Sequence, residues 1–327
     1  MKFLLDGLQV YFPYPYVYSE QLKYMRELKR ALDVAFAPGV STTAKGHCML
    51  EMPTGTGKTV ALLSLITSYQ LAHPTVGKLM YCTRTVPEMT KCVGELKRVI
   101  EYRVKELGPE GGNVLACCLS SRRNMCIHER VMAEADREQV DAACRKRTAP
   151  WVREKVAERA KAGVRVDEVE EACTYFEAFE RVGTDAAIPM GIYGLDDLKK
   201  LGKEKGWCPY FLTRHCINLA DVIVYNYQYL LDPKIATMVS RELESDSIVV
   251  FDEAHNIDNV CIEALSITLD KRMLDTSLAN IDNLKRQVSN LKESDRRRLT
   301  DEYERLVRGL AGTGALGGVG GVGVGVG

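Results

Sequence analysis

Short apolar segments recur along the chain and alternate with segments that have helical spacing. They have the length of buried strands and occupy residues 47–52, 78–83, 113–118, 221–226 and 247–252. An amphipathic helix is predicted from Tyr18 to Leu32, because its leucines and Met25 fall on one face. Short apolar strands that alternate with helices are typical of a parallel sheet covered on both faces. The pattern therefore predicts an α/β fold.

Four stretches depart from this alternation. Residues 34–43 contain a Pro-Gly pair and are predicted to form a loop. The third and fourth apolar segments are about a hundred residues apart, and the charged helical sequence and scattered cysteines between them indicate an inserted domain. Residues 264–310 are mostly amphipathic helix. The glycine- and valine-rich end of the chain has almost nothing to bury, so we expect it to be disordered.

Composition narrows the class of protein only in part. The 327 residues, of which 46% are hydrophobic, are enough for about two or three domains. Basic and acidic residues balance at 44 each, so the net charge argues neither for nor against nucleic acid. The sequence contains no apolar stretch of membrane-spanning length and no signal peptide. We expect an intracellular protein, whose eleven cysteines are core residues or metal ligands rather than disulfides.

One segment has the chemistry of a phosphate-binding loop followed by an apolar helix. It comprises Thr54, Gly55, Thr56, Gly57, Lys58 and Thr59. Glycines let backbone N–H groups face phosphate oxygens, and the helix adds the positive end of its dipole. In this hypothesis Lys58 contacts the β- and γ-phosphates and Thr59 ligates Mg²⁺. The general pattern has a glycine where this chain has Met52; superfamily 2 helicases also replace it, and the alternative is a turn with a chance lysine.

An acidic segment, IVVFDEAHN, spans residues 248–256. Asp252 ends an apolar strand at the sheet edge where α/β ligands bind, and it is the candidate Mg²⁺ ligand. Glu253 is the candidate base for the attacking water, and His255 is placed to link the nucleotide site to the rest of the motor. Alone, the segment also fits a strand end followed by a helix cap. A phosphate loop about 195 residues upstream favours the nucleotide site.

Two further segments are weaker candidates. Residues 81–89 resemble the helicase segment that contacts the DNA backbone, in which Thr83, Arg84 and Thr85 would offer hydroxyls and a cation to phosphates. An ordinary strand-to-helix turn is equally compatible with this segment. An aromatic-rich segment at residues 11–21 precedes the phosphate loop. Its last residue, Gln21, is a candidate hydrogen-bond partner of adenine. The alternative is an aromatic turn that packs on the core.

Longer segments resemble the XPD-type (xeroderma pigmentosum group D) iron–sulfur helicases of superfamily 2. They read SSRRNMC, GIYGLDDLKKLGKEKGWCPYFLTR, ADVIVYNYQYLLDPKIA and VVFDEAHNIDNVCI. The resemblance extends from about residue 3 to residue 310. It implies a RecA-like helicase lobe at 1–117 and 210–263, an inserted 4Fe–4S domain at 118–209, the beginning of a helical arch domain at 264–310 and a low-complexity tail at 311–327.

The resemblance also assigns residues that spacing alone does not. The inserted region has no C-x₂-C pair, so spacing by itself favours unligated cysteines. The positions that match the cluster ligands of the family are Cys126, Cys144, Cys173 and Cys208. Together with Arg84, the positions that match the DNA path are Arg122, Tyr210 and Arg214. Arginine suits phosphate and an aromatic ring suits base stacking.

The function implied by the resemblance is that of an ATP-dependent 5′→3′ DNA helicase in nucleotide excision repair and transcription initiation. Its implied cofactors are ATP, Mg²⁺ and a 4Fe–4S cluster, its partners are single-stranded or forked DNA and TFIIH subunits, and its location is the nucleus. The chain lacks the family's second motor lobe, which supplies an arginine finger, so we expect little hydrolysis from this part alone. The alternatives are a catalytically inactive short form that binds partners or DNA, and a P-loop kinase or zinc protein.

Overall fold

The computed structural model describes residues 1–37, 46–53, 55–161, 171–233, 235–236, 246–267 and 269–313. The strands are β1 (Lys2–Leu5), β2 (Leu8–Tyr11), β3 (Leu79–Thr83), β4 (Leu115–Leu119), β5 (Gly191–Tyr193), β6 (Val222–Asn226) and β7 (Ile248–Phe251). The helices are α1 (Ser19–Ala35), α2 (Lys58–Ala72), α3 (Val86–Leu107), α4 (Arg122–Met125), α5 (Glu129–Met132), α6 (Arg137–Arg147), α7 (Pro150–Lys161), α8 (Thr174–Val182), α9 (Leu195–Lys205), α10 (Pro209–Cys216), α11 (Gln228–Leu231), α12 (Ile257–Leu265) and α13 (Lys271–Thr313). The chain divides into two compact units, Met1–Leu265 and Ser266–Gly327.

A parallel sheet organises the first unit. Its strand order is β5-β4-β6-β3-β7, and each neighbouring pair is parallel. Every residue of β3 and β4 is buried, which explains why these strands read as uninterrupted apolar segments. Four of the five predicted strands are thereby confirmed, as β3, β4, β6 and β7. The predicted α/β fold is confirmed as well.

The strand predicted at residues 47–52 is wrong. The structure forms no strand between residues 46 and 53, and the side chain of Met49 is 98% exposed. β3, the next strand in the chain, pairs with β6 on one side and with β7 on the other, and the segment pairs with neither outer strand of the sheet. The phosphate loop is therefore entered from an irregular, largely exposed segment, in which Met52 is buried.

Helices α1 and α2 lie next to the phosphate loop and differ in their burial. α1 buries one face through Met25, Leu28 and Leu32, as its spacing predicts. It ends at Ala35 rather than at Leu32, so it includes the first two residues of the predicted loop; residues 38–45 lie outside the described part. α2 is buried all round between Val60 and Tyr69. An apolar helix of this kind belongs in the core and holds the loop rigidly.

A hairpin of β1 and β2 covers α2 and was not predicted. Leu5 pairs with Leu8 across a turn in which Asp6 and Gly7 both have positive φ, 45° and 86°. An Asp-Gly pair is a favoured sequence for this type of turn. The backbone N–H of Tyr11 donates to the hydroxyl of Ser68 on α2 at 3.2 Å, which joins the hairpin to the helix.

Some elements of the region between β4 and β6 contribute residues to the main core, and the rest bury only two small clusters. β5 pairs with β4, and aromatic residues of α8 belong to the main core. Helices α4, α9 and α10 also contribute to the main core, whereas α5, α6 and α7 belong to two small separate clusters. These clusters comprise Ala149, Val152, Val156 and Ala172, and Val131, Val140 and Cys144. Clusters of this size stabilise a fold weakly. Residues 162–170 lie outside the described part.

The described part of the second unit is mainly the long helix α13. The helix predicted over 264–310 is thus observed from Lys271, and it continues to Thr313. Its side chains are exposed as far as residue 304, including the apolar Leu278, Leu284 and Leu291. The tail at 314–327 lies outside the described residues. Within the described ranges, no helix combines the length and apolar character of a membrane span.

Candidate nucleotide site and cysteine cluster

The phosphate loop turns into α2 through glycines in the left-handed region. Gly55 has φ 81° and Gly57, which caps α2, has φ 76°. Residues with a side chain disfavour these angles, so the loop depends on glycine at both positions. The hydroxyl of Thr56 donates to the carbonyl of Pro53 at 2.6 Å, which tightens the turn. The predicted ligand Thr54 lies outside the described residues.

Gln21 fastens the loop to the start of α1. Its side chain is buried, and its Nε2 donates to the carbonyl of Thr56 at 2.9 Å. Its Oε1 accepts from the backbone N–H of Tyr18 at 2.9 Å. Both ends of the amide therefore have partners within the protein, and the contact with adenine stays a prediction.

Replacing Gly57 with alanine should destabilise the loop and weaken nucleotide binding. The left-handed conformation costs a residue with a Cβ about 1–2 kcal/mol. The new Cβ would also lie 2.6 Å from Nε2 of Gln21. Thermal unfolding and titration with a fluorescent ATP analogue measure both effects. Gly55→Ala is the matched control, because its φ is similar but its Cβ would meet nothing within 4 Å. Equal losses in the two variants would contradict a role for the Gln21 contact.

The phosphate loop and the acidic segment meet through an ion pair. Nζ of Lys58 lies 2.8 Å from Oε1 of Glu253, although 195 residues separate them in sequence. The hydrogen bond from Lys58 lowers the pKa of Glu253, so this carboxylate is ionised at neutral pH. Nδ1 of His255 lies 3.4 Å from the other oxygen of Glu253. Three of the four predicted catalytic groups, Lys58, Glu253 and His255, therefore lie together.

Asp252 lies at the end of β7, on the same edge as the loop. Its backbone N–H donates to the carbonyl of Cys82 at 3.0 Å, and its carbonyl accepts from the hydroxyl of Tyr227. Burial raises the pKa of Asp252, and hydrogen bonding with Tyr81 opposes that rise. The hydroxyl of Tyr81 interacts with Thr59 as well as Asp252. The two predicted Mg²⁺ ligands are therefore neighbours of one buried tyrosine, which sequence reasoning missed.

The segment predicted to contact DNA has the geometry of a strand-to-helix turn. Thr85 caps α3, and the hydroxyl of Thr83 donates to the carbonyl of Tyr225 at 3.3 Å. Arg84 is exposed, and its Nη1 donates to Oδ1 of Asn256 at 3.0 Å. Asn256, another residue missed from the sequence, also donates to the carbonyl of Glu253 at 3.1 Å. Arg84 is thus connected to the acidic segment.

The four predicted cluster ligands influence one another electrostatically. Cys126 ends α4, Cys144 lies in α6, and Cys173 and Cys208 cap α8 and α10. Burial, followed by other effects that include neighbouring thiols, raises the pKa of Cys144 to about 11 and that of Cys208 to about 12. In the described ranges, no group of three or more His, Cys, Asp or Glu side chains has the spacing of a metal site. The thiols are therefore neighbours without a formed ligand geometry.

Three of these thiols also accept backbone N–H groups. Sγ of Cys126 accepts from the N–H of His128 at 3.4 Å. The thiols of Cys173 and Cys208 accept from N–H groups in the first turns of α8 and α10, which lowers their pKa against the effect of burial. Such bonds stabilise the thiolate form that binds metals. The buried Cys82 and Cys216 show only the effect of burial on their pKa.

The residues predicted to line the DNA path form a stack. Tyr210 is buried, and the guanidinium groups of Arg122 and Arg214 lie 4.6 Å and 5.9 Å from its ring centre. Nη1 of Arg122 also lies 2.8 Å from Oδ1 of Asp141. The structure thus brings the three predicted residues together, with the ring of Tyr210 covered by protein.

The model of the DEAD_2 family matches residues 81–274, and the chain belongs to this family. The chain is 52% identical over 319 residues to the general transcription and DNA repair factor IIH helicase subunit XPD of Arabidopsis thaliana, covering 97% of this chain and 40% of that protein. The subunit of the same name from Dictyostelium discoideum is 50% identical over 315 residues, covering 96% and 38%. The predicted resemblance to XPD is therefore confirmed.

The chain spans about 40% of the length of these curated relatives. A solved structure of an XPD helicase matches 76% of this chain and 34% of its own, with a TM-score of 0.43 and 18% identity.

Proposed function

We propose that the chain carries the ATP-binding part of an XPD-type, 5′→3′ DNA helicase and that residues 1–117 and 210–263 form a RecA-like lobe. The observation that carries this proposal is the 2.8 Å contact between Lys58 and Glu253, which joins the phosphate loop to the acidic segment. The parallel sheet with both segments at one edge supports it. The similarity to helicase subunits supports the same function.

In this function each residue of the site has a separate task. Lys58 leaves Glu253 when ATP binds and contacts its phosphates, which frees the carboxylate to orient and activate the attacking water. Thr59 and Asp252 would hold Mg²⁺, because a hydroxyl and a carboxylate are the oxygen ligands that this ion prefers. Bound Mg²⁺ would supply positive charge to the phosphates. His255 and Asn256 would link the site to Arg84 and DNA.

We further propose that Cys126, Cys144, Cys173 and Cys208 hold a 4Fe–4S cluster in a domain over residues 118–209. The donor set fits, because four thiolates are the usual ligands of such a cluster. The N–H groups that reach three of the thiols support it. The two small cores of this region also support it, because cores of this size stabilise a fold weakly and a bound cluster would add stability. The cluster would be structural and would shape a path for single-stranded DNA along the two arginines that stack on Tyr210.

The names of the relatives support a proposal about the cellular role of the complete protein. We propose that the complete protein acts in nucleotide excision repair and transcription initiation within TFIIH, in the nucleus. Residues from 264 onward would begin the helical arch domain. The exposed apolar side chains of α13 support a second candidate function, a binding module for partner proteins.

Hydrolysis of ATP by the purified chain tests the proposed function. We expect it to bind a fluorescent ATP analogue with Mg²⁺ and to hydrolyse ATP slowly, at a rate that is higher with single-stranded DNA than without it. Glu253→Gln should keep binding and slow hydrolysis about 100-fold or more, because the amide cannot accept a proton. Asp197→Asn is the matched control, since Asp197 forms a 2.6 Å ion pair with Lys97 outside the site. Failure to bind nucleotide would contradict the proposal, and binding without DNA-stimulated hydrolysis would favour the binding module.

A further inference from the structure

The hydroxyl of Tyr81 is a polar group buried inside the sheet. Tyr81 lies in the middle of β3, opposite Val224 of β6 and Val250 of β7, and is 0% exposed. No described residue forms a hydrogen bond of regular geometry with its hydroxyl. A buried hydroxyl without a well-formed partner destabilises a protein, and phenylalanine would fill the same space without this cost. The hydroxyl therefore needs an explanation other than packing.

The hydroxyl lies close to both predicted Mg²⁺ ligands. Thr59 is the second residue of α2, and Asp252 follows β7, whose Val250 stands opposite Tyr81 in the sheet. The hydroxyl interacts with the side chains of Thr59 and Asp252, and after burial this interaction influences the pKa of Tyr81 and of Asp252. A tyrosine hydroxyl can accept one hydrogen bond and donate another at the same time.

We propose that Tyr81 is a positioning residue for Mg²⁺ and that its hydroxyl links Thr59 to Asp252 when the nucleotide is bound. The proposal rests on the proposed function. A threonine that ligates a cation through its oxygen must donate its hydrogen elsewhere, and Tyr81 accepts it. Tyr81 in turn donates its own hydrogen to the Asp252 carboxylate, which fixes the second oxygen ligand.

The position of Tyr81 suits this task. β3 is paired on both sides and entirely buried, so the ring is held rigidly. The hydroxyl of Tyr227 holds the backbone carbonyl of Asp252, and Tyr81 would hold its side chain. Tyr81 in β3 and Tyr227, which follows β6, would thereby hold Asp252 from two sides. Asp252 needs this support, because β7, the strand before it, pairs on one side only within the described ranges.

Tyr81→Phe tests the proposal in the purified chain. We expect the dissociation constant of a fluorescent ATP analogue to rise about 10-fold with Mg²⁺ and to stay unchanged with a chelator. The Mg²⁺ concentration at half-saturation should rise in parallel. The temperature of unfolding should stay the same or increase, because an incompletely bonded buried hydroxyl is removed. Tyr225→Phe, at a fully buried tyrosine of the neighbouring strand β6, should change neither the affinity nor the Mg²⁺ dependence.

The outcomes separate this inference from the proposed function. If the wild-type chain binds nucleotide in a Mg²⁺-dependent way and Tyr81→Phe binds identically, the inference is overturned and the proposed function stands. If the wild-type chain shows no Mg²⁺-dependent binding, both are overturned. A merely structural role would lower stability or Mg²⁺-free affinity instead. In an Asp252→Asn background, Tyr81→Phe should have no further effect on Mg²⁺ dependence, and a full additional 10-fold loss there would also overturn the inference.

Discussion

Replacing Lys58 with alanine should weaken ATP binding by about 10- to 100-fold while the fold remains intact. A hydrogen bond to a charged group contributes about 1.5–3 kcal/mol, and Lys58 is the charged donor that this loop offers to the phosphates. The ion pair that the variant loses, with Glu253, involves side chains that are 24% and 37% exposed. Pairs that are so accessible to water contribute about 0–1 kcal/mol to stability. The loss should therefore appear in binding and hardly in unfolding.

Titration with a fluorescent ATP analogue and urea unfolding of the same preparation measure the two quantities. Lys97→Ala is the matched control, because Nζ of Lys97 lies 2.6 Å from Asp197 in a pair that is 39% and 44% exposed. It should unfold like Lys58→Ala and bind ATP like the wild type. Wild-type affinity in Lys58→Ala would show that the loop does not bind phosphate. Unfolding of this variant would show that the ion pair, rather than the nucleotide, is the role of Lys58.

The sequence predicts the buried strands well and the exposed or short elements poorly. β3, β4, β6 and β7 are found because strands covered on both faces must be apolar throughout. The three-residue strand β5 is only half-buried, so it leaves no apolar segment to recognise. The hairpin of β1 and β2 left a usable signal in Asp6-Gly7 between apolar residues.

The false strand at residues 47–52 shows the limit of the same argument. Its composition matches that of the true strands, yet Met49 is almost fully exposed. Apolar composition indicates that a segment can be buried, whereas pairing depends on which edges of the sheet are free. The inner strand β3 offers none, because β6 and β7 flank it, and the segment does not pair with the outer edge of β7. That condition involves residues more than a hundred positions away and is invisible to a local pattern.

The residues of the candidate site differ in the same way, because local motifs predict some of them and contacts between distant elements determine the others. Lys58 and Glu253 were predicted from motifs, because phosphate chemistry restricts which residues can occupy them. The partners that hold the motifs in place were missed: Gln21 on the loop, Tyr81 beside Asp252, and Asn256 beside Arg84. Gln21 was noted for adenine instead. These contacts cross between distant elements, so they depend on sheet register and helix packing rather than on spacing.

Removing the thiol of Cys208 should abolish iron binding, whereas removing that of Cys216 should not. Both cysteines are buried and lie at opposite ends of α10, so Cys208→Ala and Cys216→Ala create similar cavities. Only Cys208 belongs to the proposed ligand set. The wild-type chain, purified without oxygen, should contain about four iron atoms and as many sulfides. Elemental analysis should find iron at that level in Cys216→Ala and only traces in Cys208→Ala.

Loss of the cluster should also loosen the region between β4 and β6, because its separate cores contain only four and three buried residues. Helix α6, which carries Cys144, would then lose its proposed connection through the cluster to the starts of α8 and α10. A metal site can supply the stability that such small cores cannot. Limited proteolysis should therefore cut Cys208→Ala within residues 126–208 much faster than Cys216→Ala, at similar stability of the parallel sheet. Equal protection and equal iron in the two variants would contradict the ligand assignment, and zinc in place of iron would identify the alternative metal.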